Sequence, residues 1–175
     1  MHYSDFRVAV QASRGGDYPL SQLTILVGTM TGTAELVADE VKDALAAEGA
    51  AVEILPMDRL TPEAFQRPGR FLVCTSTYGQ GDVPDNARDF FAALETARPG
   101  LAHVEYGVIA LGDHTYAQTF CFGGKRFDRL LTELGARRQG DMLLHDASAG
   151  TIPEEVAVDW ARDWFRGLAE RSAAA

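Results

Sequence analysis

Along the chain, short apolar runs alternate with longer stretches in which apolar residues recur every three or four positions. Residues 23–27, 51–55, 70–76, 106–111 and 142–145 read as five strands. Between them, residues 34–48 set Leu36, Val37, Val41 and Leu45 on one side of a helix. A second helix over 84–95 buries Phe90, Phe91 and Leu94, and a third over 120–134 is closed by Gly135. Residues 61–65 suggest one short helical turn within a proline-punctuated crossover. The last helix begins near Pro153 and buries Val156, Trp160, Trp164 and Leu168. Ahead of all this, residues 6–10 suit a short edge strand, followed by Gly- and Pro-rich punctuation.

Strands that alternate with helices form βαβ units with right-handed crossovers, which yields a parallel sheet covered on both faces. The expected fold class is therefore α/β, a doubly wound sheet of five parallel strands in the order 2-1-3-4-5. Residues 1–22 form an N-terminal extension without an assigned role, residues 23–171 the domain, and residues 172–175 a frayed end. In this plan a ligand sits beyond the carboxyl ends of strands 1 and 3, where the order reverses. The loops after strands 1, 3 and 4 should then carry the binding chemistry.

The first of these loops is Gly28-Thr29-Met30-Thr31-Gly32-Thr33, leading into Ala34. A helix start offers unpaired N–H groups and the positive end of the dipole, and three threonine hydroxyls add donors. The loop has neither the lysine of a P-loop nor the Gly-x-Gly-x-x-Gly of a dinucleotide turn. Neutral donors of this kind suit one terminal phosphate; a capping turn rich in threonine is the alternative on this stretch alone. After strand 3 comes Ser76-Thr77-Tyr78-Gly79-Gln80-Gly81-Asp82, and after strand 4 Leu111-Gly112-Asp113 with Tyr116. Two tyrosines on loops beside a phosphate cradle can flank a flat ring system.

Composition narrows the classes. A chain of 175 residues supports one domain with a substantial core, and 46% hydrophobic with 23% charged residues fits a globular protein. The formal net charge of -9 argues against nucleic acid and anionic membranes. No apolar run reaches membrane-spanning length, and the N-terminus lacks a secretory pattern, so a cytoplasmic location is expected. Cys74 and Cys121 have no metal-ligand spacing, and free thiols fit a reducing compartment. None of the four histidines stands in a nucleophile motif, and His114 reads as a solvent-facing loop residue.

These motifs resemble the flavodoxin family, specifically its short-chain, single-domain members related to the FMN domain of diflavin reductases and the sulfite reductase flavoprotein. The matching pieces are residues 28–35, residues 76–87, and Leu111-Gly112-Asp113 with Tyr116, Phe120 and Cys121, followed by Gly124-Lys125, Asp128 and Leu134-Gly135-Ala136. The resemblance implies the flavodoxin-like form of the doubly wound sheet, bound FMN and one-electron transfer. It implies that Thr29, Met30, Thr31, Gly32, Thr33 and Ala34 bind the phosphate and that Tyr78 and Tyr116 flank the isoalloxazine. By the same resemblance Ser76, Thr77, Gly79, Gln80, Gly81, Leu111, Gly112 and Asp113 line the ring edge, with Phe120, Cys121 and Asp146 near the flavin or ribityl chain.

The implied function is a redox carrier rather than an enzyme with its own substrate. Its expected partners are an NADPH-dependent flavoprotein reductase and an electron-acceptor protein with a basic docking face; the carrier itself is expected to be a monomer. An FMN-dependent NAD(P)H quinone or small-molecule reductase is the alternative from the enzyme class. A phosphate-ligand binding module is the third reading.

Overall fold

The structure is a computed structural model and describes residues 22–174. The expected edge strand over residues 6–10 lies outside the described residues. Six strands make one parallel sheet: β1 (Gln22–Gly28), β2 (Ala51–Pro56), β3 (Arg70–Thr75), β4 (Glu105–Gly112), β5 (Arg137–Arg138) and β6 (Leu143–Asp146). Their order is β2-β1-β3-β4-β5, with β6 also paired to β4. The fifth strand expected over 142–145 is β6, and the two-residue β5 is an addition on the same edge of β4, separated from it by residues 139–142. So short an interruption agrees with the short-chain type.

Four helices cover the sheet: α1 (Thr33–Ala47), α2 (Arg88–Ala97), α3 (Phe122–Glu133) and α4 (Pro153–Ala173). Strand residues alternate between the faces, so each face receives its own core. Phe71, Val73, Tyr106, Val108 and Ala110 pack with Phe90, Leu94, Phe127 and Leu131 from α2 and α3. Leu72, Cys74, Ile109 and Leu111 pack with Val37, Val41, Trp164 and Leu168 from α1 and α4. Full burial of each such leucine, valine or phenylalanine contributes roughly 1.5–3 kcal/mol.

Several boundaries differ from the sequence expectation. Leu36 is exposed, because the core-facing stripe of α1 runs through Ala34, Val37, Ala38, Val41, Ala44 and Leu45, and Leu36 falls outside that arc. Val156 and Trp160 are half-buried, while Trp164 and Leu168 are buried. The helix expected over 84–95 opens as a 3-10 turn, Asp85–Ala87, before α2. The helix expected from residue 120 starts at Phe122. Cys121 holds φ +57°, a left-handed backbone that cannot belong to a right-handed helix.

Close approaches set the carboxyl ends of the strands. Gly28 lies opposite Thr75, Thr75 opposite Ala110, and Gly112 opposite Asp146. The start of α3 is pulled onto the β3 loop because Gly123 has no side chain. A Cβ there would collide with the Ser76 carbonyl oxygen. The four strand ends, and the loops that leave them, therefore share one rim.

Candidate cofactor site

At that rim an open basin of about 440 Å³ is lined by Thr31 and Thr33, Ser76, Thr77 and Gly79, Leu111, Gly112 and Asp113, Tyr116 and Thr119, and Ala147. All three loops singled out from the sequence contribute, and a fourth, after β6, joins them. A larger hollow of about 500 Å³ lies between α2 and α3, but its lining of helix side chains brings together no loop hydroxyls and no strand ends.

The loop over residues 28–33 is built for neutral donation. Gly32 sits before α1 with φ +95°, a conformation that costs a glycine little and turns the chain so that the first helical N–H groups face outward. The Thr29 hydroxyl accepts the Gly32 N–H at 3.0 Å, which closes the turn. Thr31 and Thr33 are exposed and line the basin. Among the described residues no lysine or arginine lines it. Met30 has its own use: its Sδ accepts the Asp85 N–H at 3.1 Å, and Ala34 is buried beneath the loop.

One residue that shapes this loop escaped the sequence reading. Asn86 accepts the Thr29 N–H through Oδ1 at 2.7 Å and donates from Nδ2 to the Val27 carbonyl at 3.2 Å. It spans the loop from behind. Its place in the motif of residues 76–87 was visible, but no local signal could tell that it reaches back across 57 residues.

The β3 loop holds two different kinds of hydroxyl. Thr77 Oγ1 donates to the Leu111 carbonyl at 3.0 Å and accepts the Gly123 N–H at 3.1 Å, tying three elements together. Ser76 Oγ is the opposite case: a buried side-chain oxygen without a hydrogen-bond partner among the described residues. Leaving such a group unpaired costs about 1–3 kcal/mol, so a hydroxyl lining the basin is poised for a ligand. Beyond it, a tight turn exchanges hydrogen bonds between Tyr78 and Asp82 and brings Gly81 N to Tyr78 O at 3.2 Å. Tyr78 and Gln80 are exposed, and Gly81 is buried against Phe122.

The β4 loop is a run of 3-10 turn from His114 to Thr119, broken at Tyr116 (φ -104°, ψ 64°), whose ring is exposed. Asp113 caps it by accepting the Thr115 N–H at 2.8 Å. Phe120 and Cys121 follow, but both are buried and neither lines the basin. Cys121 lies under Gly112, its thiol donating to the Ala110 carbonyl at 3.3 Å, and burial pushes that thiol up to about 12. It serves packing. Asp146 is likewise turned to protein partners, accepting the His114 N–H at 2.9 Å, the Ser148 N–H at 2.9 Å and the Ser148 hydroxyl at 2.7 Å. These donors hold its carboxyl far below the usual aspartate range. His114 Nδ1 stands 3.0 Å from the second carboxylate oxygen. An ionised carboxylate only accepts, so this nitrogen carries the proton.

The sequence profile described as Flavodoxin matches residues 25–160. The chain belongs to the flavodoxin family. Flavodoxin YqcA of Escherichia coli (strain K12) is 40% identical over 145 residues, covering 83% of this chain and 97% of that protein. The sulfite reductase flavoprotein alpha-component of Bacillus subtilis is 32% identical over 163 residues, 93% of this chain but 26% of the longer protein. Among solved structures, a cysteine-to-alanine mutant of a flavodoxin from Pseudomonas aeruginosa superposes with a TM-score of 0.75 at 37% identity, covering 84% of this chain and 98% of that one.

Membership implies that this flavodoxin binds flavin, with FMN the usual form in the family. The basin's chemistry fits such a group: a helix start with neutral donors at one end, and a serine hydroxyl without a partner among the described residues lining the same space. Among the described residues no helix is long and apolar enough to cross a membrane, and no cluster of acidic, histidine or cysteine side chains is placed to hold a metal.

Proposed function

We propose that this flavodoxin binds FMN and carries single electrons from an NADPH-dependent flavoprotein reductase to an acceptor protein with a basic docking face. The observation that carries the reading is the Ser76 hydroxyl, without a partner among the described residues, in one basin with a phosphate-type helix start and two tyrosine loops. FMN, when bound, supplies a ring that takes up and returns electrons one at a time.

The residues of the chain do the rest. Thr29, Thr31 and Thr33 and the N–H groups of Met30, Thr31, Thr33 and Ala34 would hold the phosphate, the Gly32 N–H being used by the Thr29 hydroxyl. Ser76, the backbone from Thr77 to Gly81, and Leu111 to Asp113 would line the ring edge. Tyr78 and Tyr116 would flank the ring and limit access by water and by a hydride donor. The surplus of acidic residues, -9 over the chain, supports a partner with a basic face.

The visible spectrum of the purified protein, with and without added FMN, followed by anaerobic reduction with NADPH, tests the reading. A yellow protein that NADPH reduces only when a flavoprotein reductase is added is the expected result. A colourless protein that takes up no FMN overturns it. Direct reduction by NADPH overturns the carrier role in favour of a small-molecule reductase.

A further inference from the structure

We infer that His114 is a positioning residue for the Tyr116 side of the basin, acting through Asp146 and Phe120. The inference rests on the flavin reading of the same site and extends it to residues that do not line the basin.

Tyr116 is held at its backbone by the Asp113 carbonyl at 3.0 Å and the Thr119 hydroxyl at 3.4 Å, but its side chain has little to hold it. Its ring is exposed, and its side chain makes no hydrogen bond among the described residues. Its backbone sits at the break in the 3-10 run. Where the ring stands therefore depends on where the segment from His114 to Phe120 is anchored. His114 anchors both ends of it. At the start, its backbone N–H and its Nδ1 each engage one oxygen of the same Asp146 carboxylate, at 2.9 and 3.0 Å. Two contacts from one residue to one carboxylate fix orientation as well as distance. At the far end, the imidazole stacks on Phe120, with centroids 3.6 Å apart and planes within 21°. Phe120 is buried, so the stack ties an exposed segment to the core.

Asp146 cannot yield easily, because Ser148 holds it from the other side with its N–H and hydroxyl. Its backbone belongs to β6, paired with Gly112 at the tip of β4. The clamp thus joins the loop after β4, which carries Tyr116, to the loop after β6, which carries Ala147, and both of those residues line the basin. A positioning role of this kind acts on the ring end of a flavin, not on its phosphate.

The test compares wild type, H114F, H114N and D146N by titrating the apo-protein with FMN and with riboflavin. Visible circular dichroism of the bound flavin and thermal unfolding of the apo-protein accompany each titration. Losing a charge-assisted hydrogen bond in H114F, which keeps an aromatic ring against Phe120, should weaken both ligands by the same factor, roughly tenfold. The dichroism should change while the apo-protein unfolds at the wild-type temperature. H114N, whose amide nitrogen stands near the place of Nδ1, should recover most of the loss. D146N keeps an acceptor for the backbone N–H but not the charge, and should show the same equal loss. It decides the matter if H114F does not fold. Riboflavin binding unchanged in H114F and D146N, a loss confined to FMN, or no recovery in H114N overturns the inference alone. A wild type that binds neither ligand overturns the flavin reading and this inference with it.

Discussion

Asn86 accepts the Thr29 N–H at 2.7 Å and returns a hydrogen bond to the Val27 carbonyl at 3.2 Å, so one carboxamide braces the phosphate-type loop on both sides. Replacing it with alanine leaves two backbone groups without partners. N86A should lose about 1–3 kcal/mol of stability and weaken FMN more than riboflavin. Urea unfolding of the apo-protein with paired ligand titrations measures both; equal weakening of the two ligands would place Asn86 outside the phosphate end.

The exposed hydroxyls of Thr31 and Thr33 supply donors where no cation of the described residues lines the basin. Thr31→Val together with Thr33→Val should weaken FMN far more than riboflavin, at about 1.5–3 kcal/mol for each charge-assisted hydrogen bond lost. Unchanged FMN affinity in the double variant removes the phosphate assignment.

Gly79 carries φ +54°, and a Cβ there would meet nothing within 4 Å. The obstacle to a side chain is thus the backbone angle and not space, and it is steepest for a β-branched residue. Neither the Gly79 carbonyl nor the Gln80 N–H is held by a backbone hydrogen bond among the described residues, so the peptide between them is free to turn over. G79V should retain FMN yet bring the two one-electron reduction potentials closer together, because a peptide that cannot rotate cannot offer a different group to each redox state. Spectroelectrochemistry with a wild-type separation of potentials would rule out this rotation.

Asp113 lines the basin, whereas Asp82 lies beside Arg126 at 3.5 Å. A carboxylate on the order of 10 Å from an added electron opposes it by about 0.4–1.7 kcal/mol, which is roughly 20–70 mV for one electron. D113N should therefore raise the lower potential, and D82N should raise it less because a guanidinium already offsets that charge. Both shifts should shrink at high salt. A fall in potential for D113N would show that its charge does not act on the ring.

Asp146 has its carboxyl held well below the ordinary aspartate value of about 3.9 by the His114 and Ser148 donors. A depressed folded-state value means the contribution to stability is complete above about 3.9 and disappears as the pH falls through the lower folded value. Thermal midpoints of the apo-protein should fall more steeply between roughly pH 4 and pH 2 in wild type than in D146N. Parallel curves would show that the His114 backbone N–H and the Ser148 donors add nothing to folding.

Much of the lining of the basin was legible because those residues lie on loops that follow strands directly. The loop over residues 28–33 lies between an apolar run and an amphipathic helix, and the tyrosine loops follow strands directly, so order along the chain placed them on one rim. The exceptions share a cause. Phe120 and Cys121 were expected near the flavin; they lie buried against Gly112, beneath the lining of the basin, which only the folded contact shows. Asp146 and His114 looked unrelated at a separation of 32 residues, and Asn86 and Thr29 at 57, until strand register brought each pair together. The edge next to β4 read as one strand and is two, because the pattern of apolar residues does not record where pairing is broken.

Residue order alone was enough for the alternation of strands and helices, the parallel order 2-1-3-4-5, the loops that line the basin and the family. Each of these follows from periodicity or from contiguous residues, which short-range sterics and burial decide. Which hydroxyls are already in use, and which is left over, was settled only by the folded arrangement. Thr77 and Ser76 are neighbours with the same functional group, yet Thr77 is consumed by Leu111 and Gly123 while Ser76 has no partner among the described residues. The difference arises where β4 and the start of α3 come to rest against the β3 loop. Hydrogen-bond supply at a site is a property of such long-range approach, and no window of the sequence contains it.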